Sequence, residues 1–140
     1  MSQEENKTTV LKAFEAVNQQ DLAAMDELMA SDFYSHSVPP GMPPTRESHK
    51  QALSSLFSAF PDYHVTIEDM VAEANKVVAR LTVRGTHRGN LFGAIPPTGK
   101  QVAWKAVDFF RLADGKIVEY WLVADNLELL QQLQAQPTRE

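Results

Sequence analysis

VDFFRLADGKIVEYW, from Val107 to Trp121, reads as two strands and the turn that joins them, and its register decides which side chains share a face. A two-residue Asp114-Gly115 loop favours a type I′ hairpin, because both residues tolerate the positive φ that this turn needs. With those two at the centre, Ala113 pairs with Lys116 and Leu112 with Ile117. The same count, carried along both strands, sets Phe110 opposite Glu119, Asp108 opposite Trp121 and Trp104 opposite Asp125. Successive side chains of a strand point to opposite faces. One face is therefore predicted to hold Trp104, Asp108, Phe110, Ile117, Glu119, Trp121 and Asp125. The other holds Val107, Phe109, Val118, Tyr120 and Leu122, with Lys105 and Arg111 towards its ends.

Aromatic walls with a few placed carboxylates are the composition of a small-molecule pocket. Burial in such walls disfavours the charged form, which moves a carboxyl pKa towards values useful for taking and returning a proton near neutral pH. A structural reading stands beside this one: the acids could pair with Arg80, Arg84 or Lys105, and Asp125, just ahead of NLELLQQL, could cap the last helix. The second face is also largely apolar. A sheet with two apolar faces needs two covers, so helices are expected on one and a second copy of the chain on the other, a homodimer through the sheet.

Outward from the hairpin, period-two alternation continues upstream in YHVTIEDMVAE and KVVARLTVRGTHRG, two further strands around an AEANK turn. In the first of these, Tyr63, Val65, Ile67, Asp69 and Val71 share one parity. Before Tyr63 the period is helical. Val10, Leu11, Phe14 and Val17 mark a helix from Glu4 to Gln19. Asp21 stands as the N-cap of a short second one, with Leu22, Met25, Leu28 and Met29 as its stripe, stopped at Ser31-Asp32. Phe33, Tyr34 and His36 are expected in a loop that runs into SVPPGMPPTRE, whose prolines exclude regular structure. A third helix spans about Arg46 to Phe60, with Leu53, Leu56, Phe57 and Phe60 on one side, closed by Pro61-Asp62. A short final helix begins near Asn126, and QAQPTRE is expected to fray. Helices first and strands after give an α+β fold, about three N-terminal helices covering a curved, mostly antiparallel sheet. Residues 1–140 are expected to form one domain, since no linker divides them.

Composition narrows the function classes. Of the 140 residues, 44% are hydrophobic and 22% charged, which is globular and far from the disordered regime. The net charge of -5, with no Lys/Arg run, argues against a nucleic-acid or anionic-membrane partner. There is no cysteine, hence no disulfide, thiolate nucleophile or cysteine metal site. The polar, acidic start MSQEENKTT lacks the features of a signal peptide, and no run of about 18 apolar residues occurs, so the chain is expected to be cytoplasmic.

Familiar motifs fail on inspection. GAIPPTGK is not a phosphate loop: five residues separate Gly93 from Gly99, and Gln101 stands where Ser or Thr would bind magnesium. Neither GxGxxG nor GxSxG is present. His36, His49, His64 and His87 lack metal-ligand spacing. His36, after Phe33-Tyr34, is a candidate for the mouth of a pocket or a solvated loop residue. His87 opens a Gly/Pro-rich loop of the kind that forms either a lid or a crossover.

GTHRGNLFGAIPPTGK, then VDFFRLADGKIVEYW, then DNLELLQQL together resemble the SnoaL-like polyketide cyclase family of the nuclear transport factor two superfamily, over most of the chain. The resemblance implies a cone of three helices on a strongly bent mixed sheet that encloses a pocket, and dimerisation through the sheet. It implies ring closure of an aromatic polyketide ester by intramolecular aldol condensation, with no cofactor or metal, a carboxylate serving as general acid/base. On it, Asp125 is the candidate base, Asp108 its tuning partner and His36 a further catalytic neighbour. Trp121, Trp104, Tyr34, Phe110, Glu119, His87 and Phe57 are the candidate substrate-binding residues. The other classes weighed are a non-catalytic binder of an apolar small molecule and a water-activating hydrolase, for example on epoxides, needing an amide such as Asn90 or Asn126 beside the carboxylate.

Overall fold

The first helix forms as α1, Gln3–Gln19, in a computed structural model that describes residues 2–134; the expected fraying of QAQPTRE, from 135 on, lies outside the described residues. Its start is a reciprocal capping box. The Ser2 hydroxyl accepts from the Glu5 N–H at 3.0 Å, and the Ser2 N–H donates to the Glu5 carboxylate at 2.9 Å. Val10, Phe14 and Val17 are buried on its inner side, and Gln20 ends it in the left-handed conformation. Asp21 caps as expected, accepting from the Ala24 N–H at 3.3 Å, but the helix it opens is one 3-10 turn, Leu22–Ala24, and one α turn, α2, Met25–Leu28. The third helix, α3, is Arg46–Ala59, with Thr45 as its N-cap.

Between α2 and α3 the structure corrects the expected loop. Met29–Ser35 is a strand, β1, with Met29, Phe33 and Ser35 buried. Its partner is the last strand of the chain. MASDFYS carries no clean alternation, and what makes it a strand is a parallel pairing to residues far along the chain, which leaves little local signature. The remaining strands are β2, His64–Glu73, β3, Lys76–Thr86, β4, Gln101–Ala113, and β5, Lys116–Ala124, followed by α4, Asn126–Gln134.

The sheet runs β1-β5-β4-β3-β2 and is not closed; β1 pairs parallel with β5, and every other pair is antiparallel. This is the expected α+β cone, with helices on one side of a bent sheet. The core gathers Val10, Phe14 and Val17 of α1, Phe60, and the inward residues of β3 and β4.

The final hairpin begins as the sequence predicts and then departs from it. Asp114 and Gly115 both have positive φ, 52° and 78°, as a type I′ turn requires. Ala113 pairs with Lys116 and Leu112 with Ile117. Beyond them the register slips by one: Arg111 opposes Glu119, Phe110 opposes Tyr120 and Asp108 opposes Leu122. Val118 is the extra residue of a β-bulge. One inserted residue turns over every later side chain of its own strand and none of the partner's. Trp104, Asp108 and Phe110 therefore keep the helix-covered face, whereas Glu119 and Trp121 move to the outer face and Tyr120 moves in. A second shift lies between Ile67 and Asp69 in β2, with Glu68 the extra residue. Val71 is accordingly exposed, and Met70 and Ala72 pack on the core in its stead.

The loop after β3 is drawn tightly over the end of α3. Arg88 and Gly89 both donate backbone hydrogen bonds to the Ala59 carbonyl, at 2.9 and 3.1 Å. A Cβ on Gly89 would lie 2.2 Å from the Ser58 carbonyl oxygen. Gly89→Ala should therefore cost about 2 kcal/mol or more of unfolding free energy in a denaturant titration, far above an exposed-loop substitution.

Candidate active site

The inner face of the sheet and the helices enclose a cavity of about 1140 Å³, somewhat larger than typical small-molecule sites. Phe14 and Val17 of α1, Leu53 and Leu56 of α3, and Leu81, Val83, Trp104 and Phe110 of the sheet give it apolar walls. Its rim is made by the Ser37–Met42 segment and by Asn90–Gly93. Among the lining residues, Asp108 is the only Asp, Glu, Lys or Arg. Three other titratable side chains share the wall: His49 of α3, Tyr63 just ahead of β2, and Tyr120 of β5.

Asp108 is 7% exposed, and its Oδ1 atom is buried without a hydrogen-bond partner. Burial pushes its carboxyl up to about 7, against a hydrogen bond from Tyr120 that acts to lower it. Burial likewise raises both tyrosines, and the Asp108 charge adds to the rise. His49 is shifted the other way: burial lowers it to about 4, so the ring is neutral at neutral pH. Its ring meets Tyr120 edge-on at 4.8 Å between centroids and Phe33 at 5.4 Å. The carboxyl that burial raises towards pH 7 thus shares an apolar chamber with two tyrosines and an imidazole that is neutral at pH 7. Among the described residues, no three His, Asp or Glu side chains converge as a metal site.

Of the sequence-derived candidates, Asp108, Trp104 and Phe110 meet at this cavity. Asp125 does not line it. The Asp125 side chain is exposed and accepts from the Glu128 N–H at 2.9 Å, while its own N–H donates to the Lys105 carbonyl at 2.8 Å. It is the N-cap of α4. His36, Glu119, Trp121 and Tyr34 form a separate cluster on the outer sheet face. The His36 ring lies flat on Trp121, 4.7 Å between centroids and 2° between planes, and next to Tyr34 at 4.8 Å. Its Nε2 is 2.7 Å from Glu119, which also accepts from Arg111 at 2.6 Å. Those two bonds, that of His36 foremost, hold the Glu119 carboxyl below its usual value. The bulge at Val118 is why Glu119 and Trp121 face away from the cavity.

His87 is fully buried and works as a clasp. Its Nδ1 accepts from the Thr98 N–H at 3.2 Å, its N–H donates to Lys100, and its carbonyl accepts from Gly99, so the two ends of the 87–100 loop are tied together. Phe57 packs edge-on to Tyr63 behind the cavity wall. His49, Tyr63 and Tyr120 escape the sequence reading for different reasons. His49 lies four residues before Leu53, on the inward stripe of α3, and Tyr63 shares parity with Val65; both were within reach of periodicity. Tyr120 was not, because its direction depends on the bulge.

Two variants separate the roles of the aspartates. In Asp108 the folded pKa lies above the unfolded one, so the folded state retains a proton that the unfolded chain has lost; stability from this group is full below about 4 and falls as pH rises to about 7. Asp108→Asn removes that loss, and its melting temperature relative to wild type should rise between roughly pH 4 and pH 7 and level off above. Asp125→Ala should cost about 1 kcal/mol at any pH in that range, and Asp125→Asn a few tenths at most, since asparagine caps as well as aspartate.

No curated protein matches the chain at a significant level. Solved structures do. IdmH from Streptomyces antibioticus, provisionally assigned as a polyketide cyclase, is 33% identical, with a TM-score of 0.82 over 93% of this chain and 99% of its own. AclR from Streptomyces galilaeus, provisionally assigned as a hydroxylase, is 30% identical, with a TM-score of 0.85 over 99% of this chain and 87% of its own. TsrD from Streptomyces laurentii is 26% identical, with a TM-score of 0.87 over 97% of this chain and 99% of its own. The family model described as SnoaL-like polyketide cyclase matches residues 8–133. With its bent sheet, its apolar chamber and that match, the chain belongs to the SnoaL-like polyketide cyclase family.

Proposed function

We propose that the protein, a single domain, is a cyclase or isomerase that removes a proton next to a carbonyl of an apolar small molecule, with Asp108 as the general base. The observation that carries this is the burial of one carboxylate, with an unpartnered oxygen, in a chamber where no other Asp, Glu, Lys or Arg among the described residues lines the wall. At pH 7 a carboxyl with its pKa near 7 is about half ionised, and as base and conjugate acid it is matched to both halves of a proton transfer. The Asp108 carboxylate takes the α-proton, and the C–H electron pair passes into an enolate. In a cyclisation the enolate carbon attacks a second carbonyl of the same molecule, and Asp108 returns its proton to the new alkoxide. The Tyr120 hydroxyl lines the same cavity and acts to favour the ionised form of Asp108, which steadies the carboxylate during both steps. Apolar walls exclude water that would protonate the enolate early.

A water-activating hydrolase would place an amide against the carboxylate. Asn90 and Asn126 reach the rim of the cavity, but the polar neighbours of Asp108 are the two tyrosines, which supports carbon-acid chemistry instead. The same reading joins two copies through the outer sheet face, where Val107 and Val123 are exposed beside Phe109 and Trp121.

The test needs no knowledge of the natural substrate. In heavy water the protein should accelerate deuterium incorporation at the α-carbons of 2-tetralone, followed by proton NMR, with a rate that rises with pH through about 7 and then levels. Asp108→Asn should slow this by about 10²- to 10⁴-fold. Equal rates for wild type and Asp108→Asn would remove Asp108 from the reaction, and retention of a bound apolar molecule without any exchange would favour a binding protein.

A further inference from the structure

An enolate carries its charge on oxygen, and a chamber with a base alone leaves that charge unmet. His49 is placed to meet it. It sits in the first turn of α3, where the Thr45 hydroxyl accepts from the Ser48 N–H at 3.2 Å and the His49 N–H donates to the Thr45 carbonyl at 3.0 Å, so its backbone is fixed. Phe33 covers one part of its ring and Tyr120 another, and the remainder borders the cavity. Among the described residues no hydrogen bond reaches either ring nitrogen, and burial is the only influence on its titration. The ring is half-buried, with room on its cavity side for a ligand group to partner a ring nitrogen. Tyr120 packs its ring against His49, and His49, Tyr120 and Asp108 all line the same cavity.

We propose that His49 is a second catalytic group, donating a ring N–H hydrogen bond to the carbonyl oxygen of the molecule whose α-proton Asp108 removes. The inference rests on the reading of Asp108 as base. As the C–H bond breaks, its electron pair forms the carbon–carbon double bond, the carbonyl π pair moves to oxygen, and the proton goes to Asp108. His49 keeps its proton throughout. Because the ring is neutral, one nitrogen is a donor at every pH where Asp108 is ionised, and the donor is fixed before the charge develops, which is the condition for strong transition-state stabilisation.

2-Naphthol, a stable aromatic counterpart of the enol of 2-tetralone, and naphthalene, which lacks the oxygen, are the probes. Fluorescence titration of the wild type should show tighter binding of 2-naphthol than of naphthalene. His49→Phe, which keeps the ring packing, should lose most of that preference, and its tetralone exchange should fall about 10²-fold in kcat with the pH midpoint unmoved. Asp108→Asn should lose exchange and keep the preference. His49→Gln, which retains an N–H, should recover part of both and replaces His49→Phe if that variant does not fold. A His49→Phe protein that still prefers 2-naphthol, or a wild type with no preference, overturns the role of His49. A wild type that prefers 2-naphthol but exchanges nothing overturns Asp108 as base, and loss of preference in His49→Phe would still place His49 against the ligand oxygen.

Discussion

The side-chain arrangement follows from one unpaired residue in β5. Val118 interrupts the ladder between Leu112–Ile117 and Arg111–Glu119, and the strand beyond it is turned over. Tyr120 thereby meets Asp108 inside, and Trp121 meets Phe109 and His36 outside. Without the bulge Trp121 and Glu119 would join Trp104 and Asp108 on the inner face, and Tyr120 would be on the outer one. The Glu68 bulge in β2 does the same to Val71 and Met70 at the opposite end of the sheet. Each bulge also adds twist and bend to its strand, so the devices that sort the faces also make the inner one concave.

A sheet that is bent and open has backbone to cover at its margins, and here side-chain amides do it. Asn18 of α1 donates to the Val65 carbonyl at 3.0 Å and accepts from the Val65 N–H at 2.8 Å, as a neighbouring strand would. Gln132 of α4 makes the same pair of bonds to Ala103, at 2.7 and 3.0 Å, on the part of β4 that extends past the end of β5. Glu128 and the Asp125 N–H complete the cover at Lys105. These bonds satisfy strand edges that would otherwise be open to pairing with other chains. They also explain why Asp125 is at the surface: the chain must turn there from β5 onto the margin of β4, and aspartate is suited to start a helix at such a corner.

What could be read from the sequence was what is local. The Asp21 cap, the Asp114-Gly115 turn and the antiparallel order of β2 to β5 rest on residues within a turn or an adjacent strand of each other. The parallel β1–β5 pairing does not, and MASDFYS passed for a loop. A bulge without glycine has no local mark, so the register counted from the turn held for two pairs and then failed. The candidate residues divide along the same line. Trp104, Asp108 and Phe110 stand on β4, which the bulge leaves unturned, and they reached the cavity; Glu119 and Trp121 stand on β5 beyond it, and they did not. His49 was visible as a helical position but not as a polar one with a purpose, because only the fold brings it to Tyr120.

The parallel pairing also bears on how the chain acquires its shape. β5 lies between β1 and β4, so it is the strand that links the first segment to the rest of the sheet. As the chain emerges in order, α1 can pack on β2 and β3 once they are made, whereas β1, with α3 against it, has no strand partner until β5 has been made. The loop to be closed by Tyr34 and Glu119 spans most of the chain, and such long-range pairing is the slow, association-prone step of folding. By sequence separation, the β1–β5 pairing is the longest-range closure among the strands described.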